Sequence, residues 1–219
     1  MDLNPRIILI FQETQNGQTH YIWKLSGQDG EAAKGFNSFD GDEPIISRRG
    51  EGTYLAPESI SSTPGMTSKS DVWSLGCVIS VVFAYLEGGS AGIEHYGLTR
   101  LEHRVSDGYD RFFVRGKVFT STNVNPAVKS QHTHLIDKAR QRNRQEGDAV
   151  EFMLRYLEKR VFEVTQSKRD NAMEVEKRLL GTFRKYETLK RTRDEDRVGA
   201  RGMPFWPNAR DATRHLRYG

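Results

Sequence analysis

Hydrophobic and polar positions in the first part of the chain predict a β-hairpin followed by a long loop. Residues 7–11 form a short apolar run rich in β-branched side chains, and residues 21–25 form a second run. Asn16-Gly17 lies between them. Two such runs around Asn-Gly are typical of a hairpin, here with a loop longer than the minimal two residues. Residues 26–47 are rich in Gly, Asp and Ser without periodicity, which indicates a long loop.

The apolar positions of residues 72–86 cover nearly every face of a helix. A helix that is apolar all round is expected in the middle of a core. Residues 67–71 supply cap-type side chains, with Ser68 and Asp71 at the spacing of a capping box. Gly88-Gly89 is predicted to end this helix.

Weaker helical periodicity begins at Asn125, Asp148 and Asn171. Beyond about residue 191 the pattern gives way to charges, Gly and Pro. The predicted fold class is therefore mainly α with a short β-hairpin. Residues 1–190 form one domain, and residues 191–219 form a basic tail without a packed position.

Composition fits one soluble domain. The chain has 219 residues, of which 36% are hydrophobic and 28% charged. The longest apolar run, residues 72–86, is shorter than the roughly 18 residues that a membrane span needs, and the N-terminus lacks the basic region of a signal peptide. A cytoplasmic or nuclear location is expected. The single cysteine, Cys77, lies inside the apolar run and is expected to be a core residue.

The formal net charge is +4, and much of the excess lies near the C-terminal end. A basic, helical, nucleic-acid-binding protein is therefore one alternative, with Phe205 and Trp206 as aromatic candidates. Acidic residues such as Asp194 and Glu195 interleave with the basic ones, which favours a solvated surface over nucleic-acid binding.

Four short motifs carry the candidate chemistry, and each is weak by itself. In chain order they are Asp2-Leu3-Asn4-Pro5, Gly50-Glu51-Gly52-Thr53-Tyr54-Leu55-Ala56-Pro57-Glu58, Asp71-Val72-Trp73-Ser74-Leu75-Gly76 and Ser167-Lys168-Arg169. Together and in this order they resemble the eukaryotic-type protein kinase family, over roughly residues 2 to 183.

The resemblance implies the C-terminal, large lobe of the protein kinase fold. It also implies ATP-dependent phosphorylation of protein Ser/Thr hydroxyls, with ATP and Mg²⁺ as cofactors and proteins as substrates or binding partners. Asp2 corresponds to the proton acceptor, and Asn4 stands at the position of the catalytic-loop lysine. The parts that the family places before the catalytic loop are missing, so the N-terminal lobe is expected to be absent.

The positions of the two metal ligands depart from the family pattern. Ile7 stands where the family has a metal-binding asparagine, and Gly27 stands where it has a metal-binding aspartate. Mg²⁺ requires oxygen ligands, which an isoleucine side chain cannot provide. Asp29, two residues later, is a weak candidate. These substitutions argue against ATP and Mg²⁺ binding and favour an inactive chain, as a pseudokinase-type binding module or as a piece of a longer kinase.

Three further residues have structural roles by the same resemblance. Glu58 and Arg169 are expected to form a buried ion pair, because a buried carboxylate is costly without a partner. In the family, the aspartate at the position of Asp71 accepts backbone hydrogen bonds from residues just before the catalytic aspartate, and of these only Met1 is present, so its carboxylate is expected to lose partners. Ser38 and Ser47, in the long loop, are candidate phosphorylation sites.

Overall fold

The computed structural model describes residues 3–15, 18–26, 51–60, 66–103, 108–115 and 121–197. It is mostly helical with small antiparallel sheets, which confirms the mainly-α class with a short hairpin. Its helices are α1 Glu51–Tyr54, α2 Ser68–Glu102, α3 Pro126–Arg142, α4 Arg144–Tyr156 and α5 Ala172–Arg197. Its strands are β1 Ile8–Gln15, β2 Gln18–Leu25, β3 Phe113–Arg115 and β4 Thr122–Val124.

The predicted hairpin is present, but the expectation that its loop is longer than two residues is wrong. Strands β1 and β2 pair in register from Ile8 opposite Leu25 to Gln15 opposite Gln18, so only Asn16 and Gly17 separate them. Polar residues on both sides of the turn, 12–15 and 18–20, belong to the strands. They lack the apolar alternation by which a strand is identified in the sequence, so the sequence pattern assigns them to the loop. The long loop predicted for residues 26–47 lies, after Ser26, outside the described residues.

Helix α2 begins with a capping box one residue earlier than predicted. The Thr67 hydroxyl accepts a hydrogen bond from the Lys69 N–H, and the Ser70 hydroxyl accepts one from the Thr67 N–H, each at 3.2 Å. Ser70 at the third position of the helix thus replaces the predicted pair of Ser68 and Asp71. Such reciprocal caps satisfy N–H groups that have no partner within the helix.

The buried helix predicted for residues 72–86 is confirmed, and its helical geometry breaks at Gly88-Gly89, where its end was predicted. Trp73 and Cys77 are fully buried, and the helix continues to Glu102. Gly89 has φ 60 and ψ −150, a backbone conformation that favours glycine and breaks α2 into two halves. The glycine pair therefore marks a break between two helical halves.

Aromatic side chains from three parts of the chain form the centre of the core. The Trp73 ring meets Phe113 and Phe162 edge to face, with centroid distances of 6.2 and 5.2 Å. Phe112 also packs on Phe162, at 5.6 Å. Such tilted contacts stabilise aromatic pairs beyond the area they bury. They hold α2 against β3 and against the wide helical turn Leu157–Val161 that follows α4.

Among the described helices, α2 alone is long and apolar enough to cross a membrane. Its most apolar window has a mean hydropathy of 1.5, so the expectation that no run has this length is wrong for the helix as a whole. Half of that window is buried inside the protein. A helix buried in a protein core can have the same length and composition, so the hydropathy alone is weak evidence for a membrane span.

The three later helices form as predicted, with shifted ends. Asn125 caps α3 ahead of Pro126. Asn143 accepts hydrogen bonds from the N–H groups of residues 145 and 146, so α4 starts before the predicted Asp148. Helix α5 extends to Arg197, past the boundary predicted near residue 191. The rest of the predicted tail, residues 198–219, lies outside the described residues.

Candidate functional site

The segment that resembles a catalytic loop enters the core just before the hairpin. Leu3 and Asn4 are buried, and the Asn4 carbonyl accepts a hydrogen bond from the Ile7 N–H at 3.2 Å, within the short 3₁₀ turn Pro5–Ile7. Asp2, the predicted proton acceptor, lies outside the described residues. The structure therefore fixes the backbone after Asp2 and the position of Asn4.

Ile7, one of the two positions assigned to metal ligands, lies at the end of the hairpin where β2 finishes. The Ile7 carbonyl accepts a hydrogen bond from the Ser26 N–H at 2.7 Å, and Gly27 follows Ser26 directly in the chain. Gly27 and Asp29 are themselves outside the described residues. Within the described ranges, no group of three or more His, Cys, Asp and Glu side chains could hold a metal ion.

The Ala-Pro-Glu segment packs against the start of α2. Ala56 is fully buried, and its carbonyl accepts hydrogen bonds from the Ser59 N–H at 3.0 Å and the Ser59 hydroxyl at 2.7 Å. The Ser74 hydroxyl donates to the Tyr54 carbonyl at 2.8 Å. These contacts close the short 3₁₀ turn Pro57–Ile60 and direct Glu58 toward the helical body.

The predicted Glu58–Arg169 ion pair is present, buried and bidentate. Arg169 Nη1 lies 2.8 Å from Glu58 Oε1, and Nη2 lies 3.1 Å from Oε2. The Arg169 side chain is fully buried and that of Glu58 is 7% exposed. Arg169 Nη1 also donates to the Lys69 carbonyl at 2.6 Å, while Nε and Nη2 donate to the Glu163 carbonyl. All three guanidinium nitrogens therefore have acceptors, as a buried cation requires.

Two polar side chains complete the surroundings of Glu58. The Ser70 hydroxyl and the Gln166 amide donate to Glu58 Oε1 at 2.7 and 3.1 Å. Burial by itself would raise the pKa of Glu58, but the hydrogen bonds from Arg169 and Ser70 outweigh burial and lower the pKa. Glu58 is therefore ionised at neutral pH. Ser70 could have been noticed as a cap residue, whereas no sequence signal marks Gln166.

A second anchor, which the sequence reasoning missed, holds the other end of this segment. The buried Thr53 hydroxyl donates to Asp110 Oδ1, and Arg100 Nη2 lies 2.7 Å from Asp110 Oδ2. The Arg100 guanidinium lies between the rings of Tyr96 and Phe112, at 4.1 and 4.3 Å from their centroids. Ion pairing and cation–π contact together make a buried arginine tolerable. Residues 53–58 are thus attached to the helical body at both ends.

Asp71 lies half-buried in the first turn of α2, and burial raises the pKa of its carboxyl. Met1, which alone stands at the position of the family's hydrogen-bond donors, lies outside the described part of the chain. Its predicted role therefore stays a prediction. Ser38 and Ser47 also lie outside the described residues.

Comparisons with protein-family models, with curated proteins and with solved structures find no match for this chain. The class of the protein is therefore inferred from its own residues and contacts.

Proposed function

We propose that this chain is the large lobe of a protein-kinase-like domain that does not transfer phosphate and instead binds other proteins. The observation that carries the proposal is the buried, bidentate Glu58–Arg169 pair. It joins an Ala-Pro-Glu segment to the turn before the last helix, across 111 positions of sequence. The kinase resemblance predicts this contact, and nothing in the local sequence around either residue requires it.

The absence of phosphotransfer follows from the metal positions. Phosphoryl transfer depends on metal ions that spread the charge of the transferred group, and those ions need oxygen ligands. The side chains of Ile7 and Gly27 supply no oxygen. Asp2 alone could act only as a general base, which contributes roughly 10²–10⁴-fold to a rate. That is small beside the acceleration that such enzymes achieve.

A protein-binding role is supported by the surface of the hairpin. Strands β1 and β2 pair with each other, and large apolar side chains are exposed on both faces of the hairpin: Ile10, Tyr21 and Leu25 on one face, and Leu9 and Phe11 on the other. An isolated two-stranded hairpin is marginally stable in water, and contiguous exposed apolar side chains mark interaction surfaces. We propose a protein partner on this surface, in the cytoplasm or nucleus. Nucleic-acid binding is the weaker alternative.

The catalytic part of the proposal is tested with the purified chain, Mg²⁺, labelled ATP and a general protein substrate. We expect no phosphate transfer beyond that of an Asp2→Asn variant, which keeps the side-chain shape but loses the proton acceptor. Transfer by the unmodified chain that Asp2→Asn abolishes would show that the chain is an active kinase.

The binding part is tested by photo-crosslinking in cells. A photoreactive phenylalanine replaces Ile10 on the hairpin or, as a matched control, Leu98 on α2, since the two side chains are 53% and 55% exposed. We expect a discrete adduct of higher mass from position 10 and none from position 98. Absence of an adduct at position 10, or equal adducts at both positions, would contradict a partner on the hairpin.

A further inference from the structure

An apolar cavity lies where α2, α3, α4 and α5 meet. Its volume is ≈ 330 Å³, and all four helices contribute to its wall. The lining is mostly apolar and includes Phe83, Leu86, Leu135, Val150, Phe183 and Leu189. These residues lie outside the four kinase-like motifs and outside the hairpin. A cavity of this volume is at the small end of the range for ligand sites, so it suits a large side chain better than a large molecule.

The cavity has a buried floor and a charged rim. Leu135 and Leu189 are buried, whereas three charged residues of the lining, Glu87, Arg142 and Glu146, are partly exposed. Arg142 Nη1 lies 2.5 Å from Glu87 Oε2, and its Nη2 lies 2.7 Å from Glu146 Oε1. Two carboxylates and one guanidinium give this rim a formal net charge of −1.

The wall of the cavity on α5 is open to water. Phe183 lines the cavity and is nevertheless 58% exposed. A second large apolar side chain in the cavity would cover part of this ring, and aromatic rings in contact gain beyond the area they bury. The cavity therefore favours an occupant with an aromatic side chain.

The chain itself contains a segment with these properties. Residues 203–207, Met-Pro-Phe-Trp-Pro, form the longest apolar run of residues 198–219, which lie outside the described part of the chain. A tryptophan buries roughly 150–250 Å² when it enters an apolar site. Its indole also carries one N–H donor, and the carboxylates of Glu87 and Glu146 on the rim are acceptors with several lone pairs each.

The length of chain after α5 allows this segment to reach the cavity. Helix α5 continues to Arg197, about 12 Å beyond Leu189 at the rise of an α-helix. Nine residues separate Arg197 from Trp206, and an extended stretch of that length spans up to about 30 Å. The chain can therefore turn back along α5 as far as the cavity.

Charge and tethering both favour an occupant from the same chain. The side chains of residues 198–219 include four arginines and one aspartate, a net charge of +3 with histidine neutral, opposite in sign to that of the rim. Opposite charges favour the encounter of the two parts. A short linker also gives the tethered segment an effective concentration in the millimolar range, which favours it over the same segment of a second copy.

We propose that residues 203–207 of this chain bind in the cavity between α2, α3, α4 and α5, with the Trp206 indole inside it. The inference does not rest on the proposed kinase-like lobe or on the hairpin surface. It concerns this one apolar stretch, since the rest of the tail has the polar, unpatterned sequence for which no packed position is predicted. Any other ligand of the cavity must then displace Trp206.

The first test measures the exposure of Trp206 in the full chain. 5-Fluorotryptophan replaces the three tryptophans, and the ¹⁹F signal that is lost in Trp206→Phe belongs to Trp206. The ¹⁹F shift of an exposed fluoroindole changes between H₂O and D₂O, whereas that of a buried one does not. We expect a small change for Trp206 in the full chain and a clearly larger one after Phe183→Ala, which removes part of the cavity wall.

Leu180→Ala is the matched control. Leu180 also lies on α5, is 49% exposed and is not part of the cavity lining. Its replacement should leave the Trp206 signal unchanged, and unchanged signals of Trp23 and Trp73 show that each variant is folded. A Trp206 signal with the solvent dependence of free 5-fluorotryptophan in the unmodified chain, or equal values in the two alanine variants, would overturn the proposal.

The second test identifies the occupant and needs no substitution in the cavity. A photoreactive phenylalanine replaces Phe205 in the purified full chain or, as a control, Leu216 in the same tail. We expect position 205 to cross-link within one chain to peptides from residues 83–87 or 182–189, and position 216 not to do so. Cross-links between two chains would assign the cavity to a second copy, and absence of cross-links from position 205 to these peptides would leave it to another ligand. Either result contradicts the proposal.

Discussion

Arg169 contacts three separate parts of the chain through one side chain. It reaches Glu58, the Lys69 carbonyl and the Glu163 carbonyl, and its guanidinium carbon lies 5.1 Å from the centre of the Trp73 ring. Removal of Arg169 would leave the Glu58 carboxylate buried without its cation and would take a donor from the Lys69 and Glu163 carbonyls. Such losses destabilise a protein far more than the loss of an exposed ion pair.

We predict that Arg169→Ala lowers the free energy of unfolding by about 3–5 kcal/mol, the usual effect of breaking one side of a buried pair. The matched control is Arg140→Ala, which removes an arginine whose side chain is 44% exposed and pairs with a Glu151 side chain that is 36% exposed. Urea denaturation should show a much smaller loss for the control. Equal losses of unfolding free energy in the two variants would mean that burial of the Glu58–Arg169 pair adds nothing to the stability of the protein.

The pH dependence of this pair is a second prediction at the residue scale. The pKa of Glu58 is lowered in the folded protein, so the stability it contributes is present above the ordinary value of 4.5 and is lost as the pH falls below it. The difference in unfolding free energy between the full chain and Glu58→Gln should stay constant from pH 8 to 5 and then shrink. A difference that shrank above pH 5 would indicate another titrating group.

At the scale of elements, close packing between α2 and the turn after α4 depends on a glycine. A Cβ at Gly76 would overlap Val161 Cγ1, whereas a Cβ at Gly88 would meet no atom within 4 Å. We predict that Gly76→Ala destabilises the protein by about 1–3 kcal/mol through overpacking. Gly88→Ala should be neutral or stabilising by up to about 1 kcal/mol.

Thermal unfolding of the two variants checks this pair of predictions. The same substitution at the two positions of α2 separates packing from helix propensity, because propensity alone favours alanine at both. Similar melting temperatures for Gly76→Ala and Gly88→Ala would contradict the close approach of α2 to Val161.

The elements that the sequence predicts are those whose signals are local. Asn16-Gly17 predicts the hairpin, and Asn125 and Asn171 predict helix starts, because caps and turns involve residues a few positions apart. The continuation of α2 past Gly89 was not predicted, since a glycine pair usually marks a helix end. Tertiary contacts with Asp110 and Ser80 hold the second half in place.

The contacts of the candidate site likewise divide into those that sequence motifs predict and those that no motif predicts. The Glu58–Arg169 pair could be predicted because motifs at both ends belong to one family pattern. Thr53 lies in one of these motifs, but its partners Asp110 and Arg100 belong to none, and the aromatic rings that pack on Arg100 come together only in the folded protein. Arg100 and Asp110 lie 10 positions apart, yet no local sequence signal marks them as partners, because their pairing depends on how the chain folds between them.

At the scale of the whole molecule, the chain combines a packed helical body with a hairpin whose apolar side chains face solvent. Ile10 and Leu25 are about half exposed, whereas Trp73, Phe112 and Phe162 are buried in the body. The body accounts for stability. The hairpin carries the exposed side chains of the proposed binding surface. The segment around Asn4 and Ile7, directly before it, carries the resemblance to a kinase catalytic loop.

The most direct test of the proposed kinase-like lobe is phosphate transfer by a variant in which the missing metal-ligand types and the small lobe are restored. Ile7→Asn and Gly27→Asp restore the two metal-ligand types, and an intact small lobe from an active protein kinase is fused ahead of Asp2. We predict that this fusion transfers labelled phosphate from Mg²⁺-ATP to protein, that Asp2→Asn abolishes the transfer, and that the unmodified chain transfers none. A repaired fusion that folds and stays inactive, or one whose activity survives Asp2→Asn, would contradict a kinase-like lobe.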